Sequence, residues 1–445
     1  MKIDRIFVAN LAETADFLVK LMGRKQGENE IFEDHALSDR FIASSGDNSI
    51  LITPFPLDKQ YFKDIATLLG YKYIANLSPK KTNGSTCLAI LKDKKLLKKV
   101  IDLIRKNPRI SLIAYAATPQ FVELVSYLKS KSLIFETPEM PVKESRWTSL
   151  FFDSKAGFRQ SVPYLGKEFP PMPMGFVCRK RSDIIGWARY FMKKSGGFVL
   201  KTDHGLAGAG VRIVRKKDIK DQNLEAFVND ILESEPYWQE ELTVVEEFIK
   251  TDQTVAGGNP SVEYQVKKGK ILPLYVCGMR VTGEGVFRGV EIGKGAVPAN
   301  LCRILLEAGE KWAKFLQEVG YRGFFDIDWV YDKNGRLYPI ESNLRRTGGT
   351  HVFEIGQRIL GENFLEKYCL VANNITKAPR FANKEYSYIK KKLAPLLYPI
   401  KNKREGVILT DISYLVRGNL GYIVIGSDKA KAFQIENKFL EQLTI

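Results

Sequence analysis

Four side chains in the run GFFDIDWVYDKNGRLYPIESNLRRTGGTH, residues 323–351, are spaced for chemistry. Asp326 and Asp328 alternate along one apolar stretch, and Glu341 and Asn343 along the next. Asn334-Gly335 between them predicts a hairpin closed by a two-residue turn. Such a turn sets Asp328 opposite Glu341 and Asp326 opposite Asn343. Side chains alternate along a strand, so all four share one face. The other face carries Phe325, Ile327, Trp329 and Tyr331 against Leu344, Ser342, Ile340 and Tyr338, and it packs. Facing carboxylates with Cβ atoms ~5 Å apart repel. A hard cation such as Mg²⁺ removes that penalty, and it is commonly held by one or two carboxylates plus substrate phosphates. A plain solvated face could also carry two acids. Asn343 beside them, then Arg345, Arg346 and Gly348-Gly349-Thr350-His351, favour the cation. Pro339 donates no ladder hydrogen bond, which implies an edge or a locally unpaired position in the second strand.

A second candidate is GFVLK-TDHGLAGAG-VRIV, residues 197–214, two short strands around a glycine-rich loop. Gly205, Gly208 and Gly210 allow backbone N–H groups to approach phosphate oxygens, and Lys201 supplies charge at the strand end. No GxxxxGK[ST] occurs, so this is not a P-loop. TVVEEFI (243–249) reads as a strand that could end beside a flat apolar ligand. Residues 261–281 read as a hairpin turning at Lys268-Gly269 and ending in Arg280. Gly283, Gly285 and Gly289 make a poor dinucleotide match and predict a mobile loop.

The elements that must position these groups follow from periodicity. Strands at 3–8, 49–53, 72–76, 88–91 and 110–116 alternate with helices at 11–24, 58–69, 92–106 and 118–129. That alternation predicts a parallel α/β sheet over 1–140. A boundary lies at Thr137 to Pro141. Residues 141–175 read as linker, and 375–445 as a basic linker with a small α+β unit. Within these, helices are predicted at 182–194, 223–233, 299–319 and 355–372. The last unit reads as strands 406–416 and 421–426 and a helix 428–443.

Bulk properties exclude some classes. The 445 residues are 44% hydrophobic and 27% charged, an ordinary globular composition. No apolar run approaches the ~20 residues of a membrane span. Five scattered cysteines form no CxxC, which fits a reduced cytoplasmic compartment. The net charge of +17 allows anionic substrates or nucleic acid, yet no nucleic-acid motif is recognisable. Nine basic residues and one acidic residue between Lys377 and Arg404 read as a solvated lysine-rich surface.

The order of parts resembles the ATP-grasp superfamily: a lysine with a glycine-rich hairpin, then VVEEFI, then an arginine-bearing hairpin, then Asp followed by Glu-x-Asn-x-Arg. The resemblance covers 145–372 and implies a two-lobed module over 141–374, with a nucleotide lobe at 176–250 and a catalytic lobe at 251–374, and 1–140 is similar to the α/β domain that precedes many such modules. DSKAGFR (153–159), SNLRRTGGTH (342–351) and GYIVIGSDKAKA resemble the pheganomycin-type peptide ligases more narrowly.

The resemblance implies ATP and Mg²⁺ (or Mn²⁺) as cofactors. It places Lys201 on the phosphates under a lid at 202–210. Glu246, Glu247, Phe248 and Ile249 would form the adenine hinge, with Asp252 toward the ribose. Asp328, Glu341 and Asn343 would hold metal. Arg280 and Arg345 would steady the transferring phosphoryl group, and Gly349, Thr350 and His351 would meet a substrate carboxylate. Asp326 has no role in the family pattern, although the hairpin register puts it close, which suggests a supporting part, and Arg346 departs from the family run. The implied reaction joins a small carboxylate, such as an amino acid, to an amine or peptide through an acyl phosphate. A kinase on the same fold and a basic nucleic-acid-binding protein are the competing readings. Amine-dependent ADP release and salt-dependent nucleic-acid binding separate them.

Overall fold

The computed structural model describes residues 2–206, 209–219 and 222–444. Strands β1 (Arg5–Val8), β2 (Ser49–Ile52), β3 (Ile74–Leu77) and β4 (Ser111–Ala114) form a parallel sheet ordered β3-β2-β1-β4. Its apolar residues are buried on both faces, as parallel sheets require. The helices that cover it start on side-chain caps: Asp58 before Lys59–Leu68, Asp93 before Lys94–Lys106, and Thr118 ahead of Pro119–Ser130. Residues 88–91, predicted as a strand, lie in the helix Thr86–Lys92, because the Ser85 hydroxyl accepts from the Leu88 N–H and starts a helix there.

A second sheet is antiparallel: β5 (Gly175–Cys178), β6 (Gly197–Leu206), β7 (Ala209–Arg215) and β8 (Thr243–Glu247), ordered β5-β8-β6-β7. The helix Arg181–Ser195 packs on it and stops at Gly196, whose φ of 72° suits a helix C-terminus.

The third sheet holds eight strands. They are β9 (Pro260–Lys267), β10 (Lys270–Val281), β11 (Phe287–Gly293), β12 (Gly323–Tyr331), β13 (Leu337–Asn343), β14 (Cys369–Lys377), β15 (Gly406–Leu409) and β16 (Asn419–Gly426). The order is β13-β12-β9-β10-β11-β14-β16-β15. Helix Ala299–Glu318 buries Leu301, Leu305, Trp312 and Leu316 beneath β9 and β12.

Four further predicted segments differ from the fold. Residues 287–293, placed in a mobile loop, are a sheet strand. A Cβ on Gly289 would sit 2.0 Å from the Ala372 carbonyl, so glycine here permits close strand approach. The helix predicted over 355–372 runs Thr350–Leu360 and ends at Gly361, whose φ is 95°. The apolar run after it is β14. The strand predicted over 406–416 stops at Leu409, and Ile412–Arg417 is a 3-10 helix. Asp411 between them is fully buried and takes both Nε and Nη2 of Arg40. The linker-like 145–175 contains two helices, Trp147–Asp153 and Lys155–Ser161. The C-terminal strands hydrogen-bond onto β14 and so extend the same sheet that carries the acidic hairpin. No helix among the described residues is long and apolar enough to cross a membrane.

Candidate active site

The acidic hairpin reaches the predicted pairing by an unpredicted route. Its turn has three residues, Lys333-Asn334-Gly335, with Gly335 at φ 78°. Asp332 closes it by accepting from the Asn334 and Arg336 amides at 2.8 Å each. Tyr331 therefore pairs with Leu337 and Trp329 with Pro339, one place out of step with a two-residue turn. A bulge between Asp328 and Trp329 leaves Ile340 unpaired and absorbs the offset. Beyond it Asp328 faces Glu341 and Asp326 faces Asn343. Pro339, unable to donate, sits beside this break.

Strand β9 flanks β12 on the other side, with Glu263 opposite Asp326 and Ser261 opposite Asp328. Asp326, Asp328 and Glu263 are all buried. Burial and the Glu263 charge push Asp326 up to about 8, against hydrogen bonds from Asn343. Burial, then Asp326 and Glu341, push Asp328 well above the carboxylate range. Glu263 is pushed up to about 7 by burial, although the Thr350, Tyr275 and Thr347 hydroxyls bond to it. The Asn343 amide nitrogen donates to Asp326 at 2.9 Å and to Asp328 at 3.3 Å. Asp328 Oδ1 is buried without a hydrogen-bond partner. A buried carboxylate oxygen left unpaired among other acids fits a cation.

Cations approach from three elements. Lys155, on the helix Lys155–Ser161, places its Nζ 3.2 Å from Glu341 Oε2. Lys201, on β6, lies 2.7 Å from Glu246 and donates to the carbonyl of the bulged Ile340 at 3.3 Å. Arg159 also pairs with Glu246. Burial pushes both glutamates up, but the lysines around Glu341, and Lys201 with Arg159 around Glu246, hold them below the ordinary range. Arg345 donates to Asp153 at 2.8 Å.

A cavity of about 360 Å³ is lined by part of this set, and Glu263, Lys155, Arg159 and Asp153 stand behind its wall. Lys201, Asp326, Asp328, Glu341, Asn343 and Arg345 line its middle. Glu246, Glu247, Phe248 and Ile249 line one end, and Gly349 lies toward the other. A larger cavity of about 750 Å³ lies at the start of β1 and β4; of its three arginines, Arg5, Arg109 and Arg346, the last is buried and already engaged. Arg346 donates to Glu139, at 3.0 Å from Nη2, and stacks 4.0 Å over Phe324, tying the parallel-sheet domain to the large sheet. Chemistry, not size, therefore selects the acidic cavity.

Several candidates fall elsewhere. Arg280 does not line the cavity; its guanidinium turns to Glu436 on the C-terminal helix, 3.2 Å away from Nη2, because that buried carboxylate needs a cation. Asp252 is bound by Thr254 in its own turn, at 2.7 Å from the hydroxyl. Thr350 and His351 are buried behind Gly349, Thr350 donating to Glu263 at 2.6 Å. His351 is held well below its ordinary range by burial and Arg40. Gly205 and Gly210 shape the hairpin itself: a Cβ on Gly210, at φ 76°, would lie 2.0 Å from the Thr202 hydroxyl. Gly208 lies outside the described residues. Lys155, Arg159, Asp153 and Glu263 were not predicted. Lys155 and Arg159 are four apart, on one face of a capped helix, and that spacing was a readable signal.

No family model matches the chain, and no curated protein matches it. Solved structures do. An N5-carboxyaminoimidazole ribonucleotide synthetase in complex with ADP is 12% identical with a TM-score of 0.57, over 99% of this chain and 96% of that one. A biotin carboxylase from Campylobacter jejuni, solved as an ATP complex, is 16% identical with a TM-score of 0.57, over 99% and 92%. The biotin carboxylase domain of Hydrogenobacter thermophilus 2-oxoglutarate carboxylase, with MgADP and bicarbonate, is 14% identical with a TM-score of 0.53, over 99% and 90%. Likeness of this extent at such low identity speaks to architecture, and it shows that the chain has the ATP-grasp fold.

Proposed function

We propose that the protein is an ATP-dependent carboxylate–amine ligase. It forms an amide through an acyl phosphate and releases ADP and phosphate. One observation carries the reading: Asp328 and Glu341 face each other, with Asn343 beside them, in the cavity that also holds Lys201 and reaches Glu246 through Ile249. Three of the similar structures were solved with ADP, ATP or MgADP, which supports the same nucleotide here.

The base sits against Phe248, Ile249, Val199 and Ile213, an apolar slot at the hinge end. Lys201, which lines the cavity, would face the phosphates, and Lys155 would add charge from behind Glu341. Asp328, Glu341 and Asn343 offer the oxygen donors that Mg²⁺ or Mn²⁺ prefers, and the unpaired Asp328 Oδ1 fits that use. Held there, the ion would supply positive charge to offset the negative charge that develops on the phosphate oxygens. Arg345, fixed by Asp153, stabilises the negative charge on the transferring group. The substrate carboxylate oxygen attacks the γ-phosphorus and ADP leaves with the bonding pair. The neutral amine nitrogen then attacks the acyl carbon, phosphate leaves with the bonding pair, and the proton lost from nitrogen goes to the departing phosphate. Water exclusion protects the mixed anhydride in between.

In its narrower form the reading makes the carboxylate an amino acid or derivative and the amine an amino acid or peptide, as in the pheganomycin-type ligases. The test is purified protein with Mg-ATP and a panel of amino acids and short peptides, following ADP and product mass. ADP release that needs both an acid and an amine, with a condensed product, is the expected result. ADP release with a phosphorylated product and no amine requirement would make the protein a kinase.

A further inference from the structure

The cavity does not end at Arg345. It continues to a wall supplied by the parallel-sheet domain: Leu11, Asp34, Leu37, Arg40 and Tyr115. The charges on this wall do not balance. Arg40 is matched by Asp411, at 3.1 Å from both Nε and Nη2. Arg345 is matched by Asp153. Asp34 has no such partner, although it is only 5% exposed, and its Oδ2 is buried without a hydrogen bond. Glu30 and Glu33 on the same helix, Arg24–Ala36, add negative field to it, which Arg40 and Arg345, each already paired with another carboxylate, offset only in part. Leu11 and Leu37 beside it are apolar.

A buried carboxylate with no cation of its own is the complement of an ammonium group brought in from outside. We infer that Asp34 receives the ammonium of the amine substrate, a primary amine with an apolar body that packs on Leu11 and Leu37. The inference rests on the ligase reading for the name of the ligand but not for its chemistry. Asp34 would then select the acceptor and take the proton that the ammonium must lose before its nitrogen can attack the acyl carbon. A purely structural aspartate would instead be indifferent to loss of its charge.

The test uses the full-length protein loaded with Mg-ADP and n-butylammonium as probe, titrated by calorimetry, with butyrate and n-butanol as controls. The wild type should bind butylammonium at one site in preference to both controls. Asp34→Asn should weaken it about 10- to 100-fold, the range for losing a charged hydrogen bond, and Asp34→Glu less. Equal binding by wild type and Asp34→Asn, or wild-type preference for butyrate, overturns the assignment, and the second outcome needs no variant to fold. Separately, hydroxylamine added to wild type with ATP and the amino-acid panel tests the ligase reading by trapping a hydroxamate. Trapping with unchanged amine binding in Asp34→Asn removes Asp34 alone. Asp34-dependent binding without trapping leaves an amine site on a protein that is not a ligase.

Discussion

Lys201 and Glu246 form an ion pair of 2.7 Å in which both side chains are buried, and Arg159 shares the same carboxylate. The sharing is unequal in its consequences. Removing Lys201 leaves Glu246 with Arg159, whereas neutralising Glu246 strands two cations. Breaking a buried pair costs about 3–5 kcal/mol. Glu246→Gln should therefore destabilise the protein more than Lys201→Met, by urea denaturation. The reverse order would show that Arg159 does not support the glutamate.

Asp326 carries a pH signature. Its carboxyl is held up to about 8, against ~3.9 for an unfolded aspartate. The folded protein binds more protons between these values, so this group's stabilising contribution is full below about pH 4 and is lost as pH rises toward 8. Asp326→Asn cannot titrate. Urea denaturation without divalent metal at pH 5, 6.5 and 8 should show the wild type losing stability relative to Asp326→Asn, by at most about 1.4 kcal/mol per pH unit. A difference that does not change with pH would mean that the acidic row is discharged some other way.

Asn343 and Arg345 should matter to turnover and little to binding of the base. Removing one preorganised charge-stabilising donor lowers rate by about 10²–10³. Asn343→Ala and Arg345→Ala should each reduce ADP release at least that far, with circular dichroism unchanged. Turnover retained in both would remove the phosphoryl-transfer role from this strand.

Arg280 should behave differently. It is bound to Glu436, which is buried, and to no group in the cavity. Arg280→Ala and Glu436→Gln should each lower stability, by no more than about 3 kcal/mol, because Arg280 is partly exposed. Turnover at a temperature where both variants are folded should stay within about threefold of wild type. A 10²-fold loss in Arg280→Ala alone would return the arginine to the phosphates.

Much of the site was legible because it lies within one hairpin. Alternation from Asp326 to Asp328 and from Glu341 to Asn343 is a local property, and it survives a wrong turn type. The two-residue turn read from Asn334-Gly335 is a three-residue loop in which Gly335 alone takes positive φ, and the Ile340 bulge restores the pairing. What was not legible is long-range. Asp153 comes from a proline-rich stretch that reads as linker, and although the spacing of Lys155 and Arg159 marks a basic helix face there, only tertiary packing shows that it meets Glu341 and that Asp153 meets Arg345. Arg280 carried the right residue type on the right strand, but nothing local reveals the Glu436 that claims it, 156 positions later. The helix misread over 355–372 failed for a different reason: a fully buried strand shows no polar side, so its run of Cys369, Leu370, Val371 and Ala372 lacks a period.

The C-terminal strands have a consequence beyond the site. β16 lies along β14, whose residues Leu370, Val371 and Ala372 are fully buried. A chain ending near residue 377 would leave that flank of β14 without a neighbour: a row of open amides and carbonyls bordered by apolar side chains. Such a rim is a template for pairing with another molecule. Shortened versions of this protein are thus expected to come out of solution as aggregates, even though every proposed nucleotide and metal contact would still be encoded.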